Sequence, residues 1–182
     1  MDAKTCGFLA TNMRERSRIS TADELFCSKL IIKMVLEVEE KISKGCNSFL
    51  SGLLTETELW FAEAILDLKR AYTNENLQLH ILLPPQKEYR LSTPKDEMLF
   101  RRILSEADEV ISLEYREQQS FEEVSARYML HRASHIIAVS DGQNKCVCDS
   151  IESACNKGIS VSIIKLNRLP KQITVRSLTI VR

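Results

Sequence analysis

Short apolar runs of strand character recur along this chain between longer segments with a helical stripe, and that alternation constrains the fold more than any single motif. The strand-like runs are Thr5–Ala10, Ser48–Ser51, Leu77–Leu83, Val110–Leu113, His135–Val139 and Ser160–Lys165. Between them, helices are predicted from Thr21 to Gly45, from Thr55 to about Tyr72, from Pro94 to Ala107, from Phe121 to Ala133 and from Cys148 to Lys157. Local signals mark their ends. Ser20 or Thr21 can cap the first, and Gly45 is a natural stop. Thr55-Glu56-Thr57-Glu58 forms a capping box, and Pro94 sits in a tolerated first-turn position. Strand and helix in alternation is the pattern of βαβ crossovers, so the predicted fold is α/β: a Rossmann-like three-layer domain with a mainly parallel sheet flanked by helices.

At 182 residues, one domain is expected, spanning 1–166. Residues 167–182 form a basic extension, free of acids, that is expected to pack on the same domain as an edge strand or hairpin. With 44% hydrophobic residues, the chain has enough apolar material to build a core. Its 25 basic and 25 acidic residues cancel, leaving no global field to draw in nucleic acid, which is not an expected partner. No apolar run reaches the roughly 18–20 residues of a membrane span. The first ten residues do not read as a secretory signal, and a cytoplasmic location is expected.

Six cysteines in such a chain are expected to be free thiols. Cys146, Cys148 and Cys155 lack the Cys-x-x-Cys spacing of zinc sites, and His131 with His135 straddles a helix end, so neither a metal nor a cofactor is expected. His80, alone on a strand, reads as a core residue. No Gly-x-Ser-x-Gly elbow, Walker loop or His-Glu-x-x-His motif occurs.

In an open parallel sheet, ligands bind beyond the C-terminal ends of the strands. That rule selects three loops: 11–20, 52–57 and 141–147. Candidate ligand-binding residues are Thr11 and Asn12 in the first, an arginine-bearing segment. Ser51, Gly52, Thr55 and Glu58 belong to the second, where a glycine before a capped helix can offer backbone N–H groups to an anion. Glu58 is also placed to accept from ribose hydroxyls. Asp141, Gly142 and Lys145 are the candidates in the third. The plainer reading of the second loop is a tight turn with a capped helix, and that of the third a turn.

The segment Phe49–Lys69, with Ser51-Gly52-Leu53-Leu54-Thr55 at its turn, resembles the strand-loop-helix signature of the YpsA-like proteins of the SLOG superfamily. Three further stretches agree in order: Ile81-Leu82-Leu83-Pro84 with Gln86, Ile103–Val110, and Tyr128-Met129 running on to Asp141-Gly142. The resemblance covers about Thr5 to Leu166 and implies a Rossmann-like domain that binds a nucleotide or nucleotide-derived small molecule. Departures fall at the site. Leu9-Ala10-Thr11-Asn12 stands where the family carries a Thr-Gly-x-Arg-like turn, and Leu53-Leu54 with Glu58 where it carries small residues and an aspartate. Ser125-Ala126 replaces an Arg-Asn pair, and Asn144-Lys145-Cys146 a Gly-Gly-Thr loop. A modified pocket is therefore expected. Two other readings stay open: a non-catalytic scaffold acting through protein contacts, including self-association as a homo-oligomer, and a nucleotide N-glycosidic or phosphoribosyl hydrolase using Glu58 and Asp141.

Overall fold

The computed structural model describes residues 4–11, 23–73, 75–85, 93–166 and 173–178. Strands β1 (Lys4–Ala10), β2 (Cys46–Ser51), β3 (Gln78–Leu83), β4 (Glu109–Ser112), β5 (His135–Ser140), β6 (Ser160–Leu166) and β7 (Ile173–Leu178) form one sheet. They alternate with α1 (Asp23–Ser43), α2 (Glu56–Ala71), α3 (Pro94–Glu106), α4 (Phe121–Arg132) and α5 (Lys145–Asn156). The sheet order is β4-β3-β2-β1-β5-β6-β7. The first six strands pair in parallel, and β7 runs antiparallel along β6, from Leu166 opposite Ile173 to Val161 opposite Leu178. The α/β Rossmann-like reading holds, with an antiparallel edge strand added at the C-terminal end.

The faces follow from the two-residue period of strand side chains. In β1, Cys6, Phe8 and Ala10 point into one core, which holds Leu30, Met34, Val38 and Ile42 of α1, Leu59, Phe61 and Ile65 of α2, and Phe100 and Ile103 of α3. Leu9, on the other face, joins Phe121, Met129 and Leu130 of α4 and Ala154 of α5. The topology explains the split. The chain marches outward from β1 to β4 with three helices on one side, then crosses back through α4 to β5 on the far side of β1, which puts α4 and α5 on the opposite face. That reversal makes the β1/β5 boundary a topological switch point, where the loops that follow neighbouring strands diverge and leave a crevice.

Local rules place most ends where expected. Thr93 caps α3 with Pro94 in its first turn, Ser120 caps α4 with a second capping box to Glu123, and Gly45 closes α1 with φ of +85°, a conformation that costs glycine little. The predicted caps of α1, Ser20 and Thr21, lie outside the described residues. One expectation needs correction. α5 starts at Lys145 rather than Cys148, because the Asn144 side chain accepts from Val147 N at 3.1 Å and caps the helix three residues earlier. In α1, Leu30, Met34, Val38 and Ile42, with Glu37 and Lys41 beside them, are buried, while Leu25, Ile32 and Leu36 are more than half exposed despite being apolar. Among the described residues, no helix is long and apolar enough to cross a membrane.

Candidate functional site

β2, β1 and β5 are neighbours, so the segments that leave their C-terminal ends near residues 11, 52 and 141 emerge side by side. Between them, under the first turns of α4 and α5, lies a cavity of about 210 Å³. Leu9, Leu54, Phe121 and Met129 form its apolar wall; Thr55, Glu58, Glu122, Ser125 and Asn144 supply polar groups.

The Gly52 loop is built around one carboxylate. Thr55 has extended backbone and caps α2, its Oγ1 accepting from Glu58 N at 3.2 Å. Glu58 reaches back, and its Oε2 accepts from both Thr55 N at 2.8 Å and Leu54 N at 2.9 Å. The predicted capping box is thus present, and it brings a carboxylate onto two N–H groups of the kind that hold a ligand anion at a helix start. Gly52 is needed for this contact. A Cβ there would stand 2.6 Å from Glu58 Oε1, whereas its backbone does not adopt the left-handed conformation that otherwise favours glycine. Ser51 is fully buried, its Oγ donating to Gly52 O at 2.9 Å. Leu53 points away into the α1–α3 core, and Leu54 remains half-buried on the cavity wall, so the two leucines do not fill the crevice together.

On the β5 side, Asp141 Oδ1 accepts from Gln143 N at 2.8 Å and Asn144 N at 3.4 Å, and Gly142, with φ of +75°, turns the chain. Asn144 then links two helix starts, because its Nδ2 donates to Glu122 Oε1 at 2.9 Å while its Oδ1 caps α5. Thr11 ends β1 with its N–H donating to Val139 O at 2.9 Å; its Oγ1 is buried and takes no partner among the described residues.

Of the residues singled out in the sequence, Thr55 and Glu58 line the cavity, with Gly52 beneath Glu58. Thr11, Ser51, Asp141 and Gly142 frame it without lining it. Lys145 lies instead along an open groove between α4 and α5, beside Glu123, Arg127 and Asp149. Asn12 falls outside the described residues. Ser125 on α4 is connected with the site only through the family resemblance, and nothing in the sequence reading points to Phe121, Glu122 or Met129 as lining residues. The Ser120-x-x-Glu123 capping pattern locates the start of that helix in the sequence, but only the crossover to β5 brings it over the crevice.

The electrostatics at the cavity are acidic. Burial pushes Glu58 above the ordinary carboxylate range despite the hydrogen bonds from Thr55 and Leu54, and the Glu122 charge adds to the shift. The Cys146 thiol, also on the wall, is pushed up to about 11 by burial first and the Glu122 charge next, so it stays protonated at neutral pH. His135 lies at the opposite end of β5, with Nδ1 3.4 Å from Cys46 Sγ and 3.0 Å from Ser134 Oγ, well away from this chemistry.

The role of Glu58 in the loop predicts a contrast between two substitutions. Glu58→Ala leaves Leu54 and Thr55 N–H without their acceptor and lowers stability by about 1–2 kcal/mol. Glu58→Gln keeps an amide oxygen for them and stays within about 0.5 kcal/mol of wild type at pH 7. Because the folded-state pKa of Glu58 is raised, the stabilisation linked to its proton is complete below its ordinary value of 4.5 and is lost as pH rises through the raised folded value. Wild type therefore gains on Glu58→Gln as pH falls toward 4.5. Urea unfolding of the three proteins at pH 4.5 and 7 measures this, and equal losses for Ala and Gln would contradict the assignment.

No curated protein matches the sequence. The family model YpsA, described as the YspA SLOG family, matches residues 23–167. Among solved structures, the X-ray structure of DNA processing protein A (DprA) from Streptococcus pneumoniae is similar, with 14% identity and a TM-score of 0.49 over 93% of this chain and 52% of that one. This chain thus spans about half the length of that protein.

Proposed function

This chain belongs to the YpsA family of SLOG domains, and from that premise we propose that it binds a small nucleotide-derived molecule in the cavity between the Gly52 loop, the end of β1 and the starts of α4 and α5. The observation that carries this reading is the open cavity of about 210 Å³ at the switch point, in a chain whose bulky Leu53-Leu54 pair could have closed it. Its apolar wall suits the face of a base or sugar, and convergent polar groups from Thr55, Glu58, Ser125 and Asn144 suit its edges. The two carboxylates considered for hydrolysis, Glu58 and Asp141, each accept backbone hydrogen bonds that hold their own loops, which favours binding over bond cleavage.

A thermal-shift screen of the intact protein with nucleosides, nucleotides and ADP-ribose tests the reading. A ligand present at 100 times its dissociation constant stabilises by about 2.7 kcal/mol, which for a domain of this size raises Tm by roughly 5–10 °C. A panel without any such shift, together with no nucleotide-derived compound in mass spectra of the purified protein, would reject it.

A further inference from the structure

We propose that the part of the ligand held at the Gly52 loop is unphosphorylated and offers a hydrogen-bond donor, a sugar hydroxyl or base amine, to Glu58, whose carboxylate stands where a ligand phosphate would sit. The inference rests on the binding function proposed above and names the ligand class for that site.

At the turn from β2 into α2, two successive backbone N–H groups, of Leu54 and Thr55, converge at the positive end of a sixteen-residue helix. Such a convergence attracts an anion. Here the chain supplies its own anion. Both N–H groups bond to Glu58 Oε2, and Oε1 occupies the space left by the absent Cβ of Gly52. A phosphate would have to expel this carboxylate, and expulsion would also undo the cap of α2.

The surroundings add to the exclusion. Glu122 brings a second carboxylate to the same cavity, and neither lysine nor arginine lines it among the described residues. A dianionic phosphate would enter against the like charge of Glu58 and Glu122, with no lysine or arginine among the described lining residues to offset its lost hydration. The opposite holds for a donor. Glu58 Oε1 accepts no hydrogen bond among the described residues, Glu122 Oε1 accepts only one, from Asn144, and both carboxylates have lone pairs to spare. Size points the same way. At about 210 Å³, the cavity lies below the roughly 300–1,000 Å³ of pockets that enclose drug-sized ligands, too small for a dinucleotide.

The experiment is isothermal titration of the full chain, wild type and Glu58→Gln, with adenosine, guanosine, cytidine and uridine and with their 5′-monophosphates. At least one nucleoside is expected to bind wild type ten-fold or more tightly than its monophosphate. In Glu58→Gln, the amide oxygen remains on the two N–H groups and the amide nitrogen replaces Oε1, turning an acceptor into a donor and removing the charge. The nucleoside is then expected to weaken about ten-fold while the monophosphate strengthens, so the preference collapses. A monophosphate that binds wild type as tightly as its nucleoside, or a preference unchanged in Glu58→Gln, overturns the proposal while leaving the binding function intact. Binding by none of the eight compounds, with inosine and ADP-ribose also silent, sinks both. The wild-type preference decides the question even if the variant fails to fold.

Discussion

Replacing Lys41 by alanine is expected to lower the unfolding free energy by about 3–5 kcal/mol, the loss typical of breaking a buried charge pair from one side. Lys41 sits on α1 with only 1% of its side chain exposed, and its Nζ donates to Ser162 Oγ of β6 at 2.7 Å. Glu37 Oε2, one turn earlier and itself 10% exposed, lies 3.5 Å away, and Glu40 lies at 3.3 Å from the helix surface. Truncation strips Glu37 of its main counter-charge inside the protein and leaves the Ser162 hydroxyl and a gap between α1 and the sheet. Removing both charges separates these effects. Lys41→Met with Glu37→Leu restores apolar packing without a stranded charge and is expected to recover most of the loss, since a buried pair often gives little net stability over a well-packed apolar substitute. Urea midpoints for the single and double variants measure the coupling. A single-variant loss under about 1 kcal/mol would show that water reaches the pair.

The second large effect concerns the core on the α2 side of the sheet. Phe61 on α2 is fully buried and stacks on Phe8 of β1, with ring centroids 4.0 Å apart and planes within 9°. Phe8 contributes to the cavity at the end of the same strand. Phe61→Ala is expected to cost about 3–5 kcal/mol through lost burial and a cavity too deep to collapse. For a chain of this length, that lowers Tm by roughly 6–20 °C. Phe61→Leu retains most of the volume and is expected to lose less than half as much. A calorimetric scan distinguishes the two, and equal losses would mean that ring stacking rather than volume dominates.

How much of this was legible in the sequence differs between elements. The α2 start could be read from four consecutive residues, because a capping box satisfies backbone donors within one turn and needs no distant partner. The strand read as His135–Val139 was equally clear, since burial on both faces favours a nearly continuous apolar run, and the structure extends it by one residue to Ser140. α1 was less so. Its apolar residues lie all round the helix, and the sequence does not say whether Leu30 and Met34 or Ile32 and Leu36 meet the sheet. Lys41 likewise reads as a surface charge, because its burial depends on Ser162, 121 residues away. Within the site, Gly52, Thr55 and Glu58 were found from the loop itself. Ser125 and Asn144 were connected with the site only by the family resemblance and Glu122 not at all, since they reach the cavity only by the crossover of α4 and the packing of two helix starts.

Alternation of strand and helix, the caps, and the membership of Glu58 in a capping box were determined by the sequence alone, because each rests on hydrogen bonds and side-chain periods that span a few residues. The order of strands around β1, the face on which each helix lies, and the second carboxylate that Glu122 brings to the cavity were decided only in the tertiary structure. The reason is that these depend on contacts between segments far apart in the chain, whose partners are chosen by shape and charge after the local elements exist.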